Sequence, residues 1–155
     1  MAPDLYAKRA GEGTAVILLH GLFGTGANLG MLARALQEQF AVYSPDLPNH
    51  GRSGWLPKLD LPVMANRLRH WMDAQGLSAA HLVGHSLGGK VAMQLALRYP
   101  TRVRSLIVAD IAPAPCSTRP TMIQCMSGAQ AATKLPRAKI SRPMTMTSLR
   151  PQRSE

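Results

Sequence analysis

Residues 80–90 read Ala80-His81-Leu82-Val83-Gly84-His85-Ser86-Leu87-Gly88-Gly89-Lys90, an apolar strand running through a glycine-flanked serine directly into a helix. The chain has to turn so sharply between strand and helix that the central residue is held in a strained backbone conformation. A side chain at either flanking position would collide with its neighbours, so Gly84 and Gly88 permit the turn and Ser86 is lifted to its tip. The following pattern predicts a helix over 87–98. Its free N–H groups and its dipole would favour negative charge developing beside Ser86. This is the arrangement of a nucleophile elbow, and it has the strand and the helix that such an elbow needs on either side.

A second stretch supplies a matching element. Thr14-Ala15-Val16-Ile17-Leu18-Leu19 is a continuous apolar run of the kind shown by a buried parallel strand. It leads into His20-Gly21-Leu22-Phe23-Gly24-Thr25-Gly26, a glycine-rich loop whose backbone can pass close to a substrate. A site built on such an elbow takes one oxyanion donor from the residue after the nucleophile and another from the loop after an earlier strand. Those donors are the N–H groups of Leu87 and Leu22, with Phe23 as the alternative for the second. Donors of this kind are typically worth about 3–4 kcal/mol in the transition state.

Strand and helix alternate through the rest of the first two thirds. Leu29, Leu32, Leu36 and Phe40 recur at helical spacing within 28–39. Ala41-Val42-Tyr43 is a short strand followed by the turn-rich Ser44-Pro45-Asp46-Leu47-Pro48-Asn49-His50-Gly51-Arg52-Ser53. Residues 62–75 read as a helix, with Pro62 in the first turn and Gly76 just past the end. Residues 103–109 give a further strand, ended by Asp110-Ile111-Ala112-Pro113. Such alternation implies an α/β fold, a parallel sheet with helices on both faces.

Together HGLFGTGANLGMLARAL, DLPNHGRS, GHSLGGKVAMQLALRYP and SLIVADIAP resemble the α/β-hydrolase superfamily. They are most similar to its small bacterial esterases of the YbfF type, relatives of the mitochondrial abhydrolase-domain proteins. The resemblance covers about residues 5–113, the N-terminal part of such a domain, truncated after the strand that follows the nucleophile helix. It implies hydrolysis of carboxylic esters or thioesters through an acyl-serine, with a small-molecule acyl substrate and neither metal nor organic cofactor. With right-handed crossovers it also implies a sheet in which the strand near 14–19 lies between those near 40–44 and 80–84, with the strand near 105–109 outside the latter, and that Asp110, in the D-I-A-P segment, is the acid of a catalytic triad. Phe23 is expected on the substrate side of the site, and His85, inside the elbow but pointing away from the nucleophile, is expected to serve in packing or in lining the substrate side.

Triad order in this fold is Ser, then acid, then His. The five histidines are His20, His50, His70, His81 and His85, and none follows Ser86. His20 reads as a brace for the glycine-rich loop rather than a substitute base, which would need hydrogen-bond reach to Ser86 Oγ. His50 and Arg52 read as turn stabilisers.

After Pro113 the composition changes. Residues 115–155 hold seven Lys/Arg against one acid, Glu155, and contain no Phe, Trp, Tyr, Val or His. Five prolines interrupt any helix there, and the apolar residues show neither period 2 nor period 3.6. Residues 114–155 are therefore expected to form a basic, Pro/Ser/Thr-rich, disordered tail. A reading-frame change near residue 114 would account for so abrupt a switch. Cys116 and Cys125 lack the further pair of a zinc site and read as incidental thiols.

The tail explains most of the formal net charge of +10. That charge therefore does not argue for a nucleic-acid partner, and no aromatic residues interleave it to stack bases. No apolar run approaches the roughly 20 residues that cross a bilayer, and no signal sequence opens the chain. A cytoplasmic location without membrane partner is the default expectation; oligomeric state is open. Three readings stand: a serine ester hydrolase, a non-catalytic remnant or binding module using the old acyl pocket, and a basic-tailed interaction protein. Family resemblance favours the first as what the sequence is. The missing His favours the second as what this chain does, and predicts it to be inactive.

Overall fold

The computed structural model describes residues 5–110. Pro113, the tail 114–155 and both cysteines lie outside the described residues. The elements are β1 (Ala7–Ala10), β2 (Ala15–Leu19), a 3-10 turn (Gly26–Leu29) continuing into α1 (Gly30–Leu36), β3 (Ala41–Pro45), α2 (Leu61–Ala74), β4 (Ala80–His85), α3 (Leu87–Arg98), a 3-10 turn (Pro100–Arg102) and β5 (Val103–Ala109). They form one five-stranded sheet in the order β1-β3-β2-β4-β5. Strands β3, β2, β4 and β5 are parallel, and β1 pairs antiparallel with β3. The order of the four parallel strands is the one that the family resemblance implies.

Strand β2 is central and buried along its whole length. Its side chains alternate between two cores, as the two-residue repeat of a strand requires. Ala15, Ile17 and Leu19 face a large core shared with α2 and α3, where Met64, Leu68, Met72, Val91 and Leu95 are fully buried. Val16 and Leu18 face the other way, with Val42, against Leu29, Ala33 and Leu36 of the first helical segment. Helices therefore cover both faces, and this is why β2 reads as an unbroken apolar run.

The boundaries follow local chemistry. Asp60 caps α2, its carboxylate accepting from the Val63 N–H at 3.4 Å. The same helix stops at Gly76, whose φ of +70° closes it by Gly76 N–H to Asp73 O and Leu77 N–H to Met72 O. Among the described residues no helix is long and apolar enough to cross a membrane. The four parallel strands share one carboxyl end. The loops at 20–26, 46–56, 86 and 110 all leave the sheet there, where open α/β sheets bind their ligands.

Candidate active site

Ser86 occupies the junction between β4 and α3 with φ 51° and ψ −113°. A non-glycine residue in this region stores strain of about 1–3 kcal/mol. The surrounding packing holds it there. A Cβ on Gly84 would stand 2.6 Å from backbone atoms of Gly88 and Gly89, and one on Gly88 would stand 2.2 Å from the Leu19 carbonyl oxygen. Both glycines are thus required because helix α3 starts in contact with β4 and β2, and neither gap could open without moving main chain. The N–H of Ser86 donates to the Ala109 carbonyl at 3.0 Å, tying the elbow to the end of β5.

That tie places Asp110. His85 pairs with Ala109 in the last rung of the β4–β5 ladder, so Ser86 and Asp110 leave the sheet on adjacent strands, about 4.8 Å apart in main chain. Asp110 also takes a positive φ, 56°. Its carboxylate is largely exposed and lies 3.4 Å from Nε2 of His85, the residue before Ser86. His85 is half exposed and faces the Gly21 backbone. A Cβ built on Gly21 would meet His85 Nδ1 at 3.0 Å and Ser86 Cβ at 3.5 Å. Gly21 is therefore the point where the first loop crosses the elbow.

The donors expected from sequence have open N–H groups in this arrangement. Among the described residues, the N–H groups of Leu22, Phe23 and Leu87 have no hydrogen-bond acceptor. Leu87 opens α3, where the first N–H groups of a helix lack intrahelical partners and the dipole is positive. Phe23 projects its ring fully into solvent, 99% exposed.

The histidines separate by environment. His20 is fully buried, with Nε2 accepting the Leu47 N–H at 2.9 Å and Nδ1 lying 2.8 Å from the Gly21 carbonyl. Only the neutral tautomer with the proton on Nδ1 satisfies both contacts. Burial pushes its pKa below the ordinary value of 6.5, with the His50 ring acting in the same direction against the Gly21 carbonyl and Asp46. With both nitrogens committed, His20 braces the loop and is not poised to take a proton from Ser86. His81 bonds Ser105 Oγ at 2.7 Å early in β4, and His70 lies on α2. Ser86 Oγ has no hydrogen-bond partner among the described residues.

Sequence reasoning missed Asp46. This carboxylate is buried, yet both oxygens are used: Oδ1 accepts the Gly26 N–H at 2.7 Å and Oδ2 the Arg52 N–H at 3.0 Å. Gly51 packs so closely on it that a Cβ there would meet Oδ2 at 2.1 Å. The signal was an acid directly after a buried strand and five residues before a glycine that turns back toward it.

Comparison with known proteins agrees with this geometry. A family model of the alpha/beta hydrolase fold matches residues 14–134. Esterase YbfF of Escherichia coli is 39% identical over 107 residues, which are 69% of this chain and 42% of that protein. The sn-1-specific diacylglycerol lipase ABHD11 of Mus musculus is 37% identical over 144 residues, covering 88% of this chain and 47% of that protein. A solved structure described as a marine microorganism esterase superposes with a TM-score of 0.72 at 39% identity, over 76% of this chain and 45% of its own. The chain spans less than half the length of each of these relatives. Elbow, crossing loop, sheet order and family match all concur: the chain belongs to the alpha/beta hydrolase fold family.

Proposed function

We propose that these residues form the nucleophile half of a serine ester hydrolase site. Ser86 attacks the acyl carbonyl, the N–H groups of Leu87 and of Leu22 or Phe23 stabilise the oxyanion, and Asp110 is the triad acid. The observation that carries this reading is the strained Ser86 at the start of α3, beside open N–H groups from two separate loops. The named activities of the relatives, esterase and diacylglycerol lipase, support an acyl ester as substrate. The reading places the reaction in the cytoplasm, with no cofactor and with Phe23 and His85 on the substrate side.

Hydrolysis also needs a base. Serine is a poor nucleophile until its proton is removed, and in this chain every histidine precedes Ser86. Losing one triad member lowers kcat by about 10⁴–10⁶ in a comparable hydrolase. The 155-residue chain is therefore expected to turn over p-nitrophenyl acetate and butyrate near background, while a fluorophosphonate slowly labels Ser86 in stoichiometric amount. Ser86→Ala should abolish the label. Absence of labelling in the wild type would favour a non-catalytic acyl-binding module. Robust turnover abolished by Ser86→Ala would show that one of the five histidines supplies the base after all.

A further inference from the structure

The crossing loop is suspended from the loop after β3 at three points. Near its start, His20 Nε2 accepts the Leu47 N–H, and near its end Asp46 Oδ1 accepts the Gly26 N–H. Between them, His50 Nε2 meets the Leu22 carbonyl oxygen, and His50 Nδ1 lies 2.8 Å from the Pro48 carbonyl. The His20 and His50 rings pack edge to face, 5.1 Å between centroids.

This leaves Leu22 between two tethered peptide planes. The plane before it is fixed through the Gly21 carbonyl, which accepts from His20 Nδ1 and from the Gly24 N–H at 3.0 Å. The plane after it is met through the Leu22 carbonyl, whose oxygen lies against His50 Nε2. In a trans peptide the C=O and N–H point in opposite directions. Each histidine that draws a carbonyl inward therefore turns the following N–H, of Leu22 or of Phe23, away from itself. Packing holds this second plane on one side only: Leu22 rests against the large core, while the exposed Phe23 ring anchors nothing.

We propose that His50, through its Nε2–H bond to the Leu22 carbonyl, is a positioning residue that presets the oxyanion-donor loop of this site. The inference rests on the serine-hydrolase reading for its chemical consequence, but the restraint itself is a property of the loop. It requires the proton on Nε2, since a bare nitrogen there would face the carbonyl oxygen lone pair to lone pair; because Nδ1 faces the Pro48 carbonyl as well, a neutral ring donates to only one of the two carbonyls, and a ring with a proton on each nitrogen donates to both.

The test uses the 155-residue chain and its His50→Phe and His50→Gln variants. Phenylalanine keeps a ring against His20 but donates nothing, whereas glutamine retains a donor. The rate of Ser86 labelling by a fluorophosphonate is separated into inhibitor affinity and the chemical step. Amide exchange at Gly24 is followed by NMR, and a melting curve checks each variant. His50→Phe should slow the chemical step by about 10- to 100-fold, the effect of misplacing a group by the order of an ångström, with affinity unchanged. Gly24 exchange should accelerate, and His50→Gln should recover part of both. Wild-type labelling and exchange in a folded His50→Phe, or loss in His50→Gln as deep as in His50→Phe, would overturn the proposal. If wild-type Ser86 takes no label, the hydrolase reading fails by itself. Gly24 exchange, accelerated by phenylalanine and slowed again by glutamine, then decides the role of His50. Should His50→Phe not fold, the wild-type ring decides instead: a protected Nε2–H signal coupled to the Leu22 carbonyl supports the restraint, and a proton found only on Nδ1 overturns it.

Discussion

At Gly88 a single hydrogen atom separates a working elbow from a broken one. Its Cα lies so near the Leu19 carbonyl that a methyl group would overlap backbone rather than a movable side chain. Gly88→Ala should therefore cost at least about 3 kcal/mol, the upper end of ordinary overpacking. Chemical denaturation would register that loss, and Ser86 labelling should fall with it. His20 carries a different signature. Its folded-state pKa is lowered by burial, so between 6.5 and that lower value the unfolded chain binds a proton that the folded chain does not. Stability is then fully present above the unfolded value and is lost as pH falls below it, at up to about 1.4 kcal/mol per pH unit for one group. Unfolding free energy measured from pH 7.5 to 5 should decline in the wild type. His20→Gln, less stable at pH 7.5, should show a flatter profile, and equal slopes in the two proteins would remove His20 as the cause.

Among the elements, helix α2 carries much of the large core. Met64, Leu68 and Met72 on its inner face are fully buried beneath the sheet. Leu68→Ala should cost about 2–5 kcal/mol, the range for removing a buried leucine, and a loss under about 1 kcal/mol in denaturant titration would show that this face collapses to fill the gap. Elements of this kind were legible because one physical demand fixes each of them. An unbroken apolar run marked β2, helical spacing with a proline at the start and a glycine at the end marked α2, and paired glycines marked the elbow. Strand β1 was not legible, because Lys8 and Arg9 point into solvent and its structure comes from the edge of β3 that it completes. The first helical segment was expected over 28–39, but α1 ends at Leu36. Phe40 and Gln39 turn back to bond the Leu36 carbonyl, and the chain then enters β3. The positions of Ser86 at the strand–helix turn, of Leu87 at the start of α3 and of Leu22 on the loop after β2 were legible because an elbow has few geometries. The Asp46 and His50 ties could not, since they join residues 20 to 28 positions apart through backbone groups whose directions only the fold determines.

Across the whole sheet the two edges differ. Strand β1 closes one side with charged residues, Lys8 and Arg9, a common protection against pairing with another chain. The other side ends in β5, which pairs with β4 and has no second neighbour among the described residues. Leu106 and Ile107 are exposed on it, Ile107 at 54%. A strand with free N–H and C=O groups and apolar side chains is a template for another strand, whereas a lysine on it adds charge repulsion to any such pairing. The isolated 155-residue chain should accordingly self-associate as concentration rises, and Ile107→Lys should shift sedimentation toward the monomer without lowering the melting temperature. Because β5 also carries the turn to Asp110 and accepts the Ser86 N–H through Ala109, association through this edge would act on the elbow as well. Ser86 labelling measured per chain should then depend on protein concentration in the wild type and not in Ile107→Lys. A monodisperse wild-type monomer at every concentration, labelling at one constant rate, would show that β5 is protected by some other means.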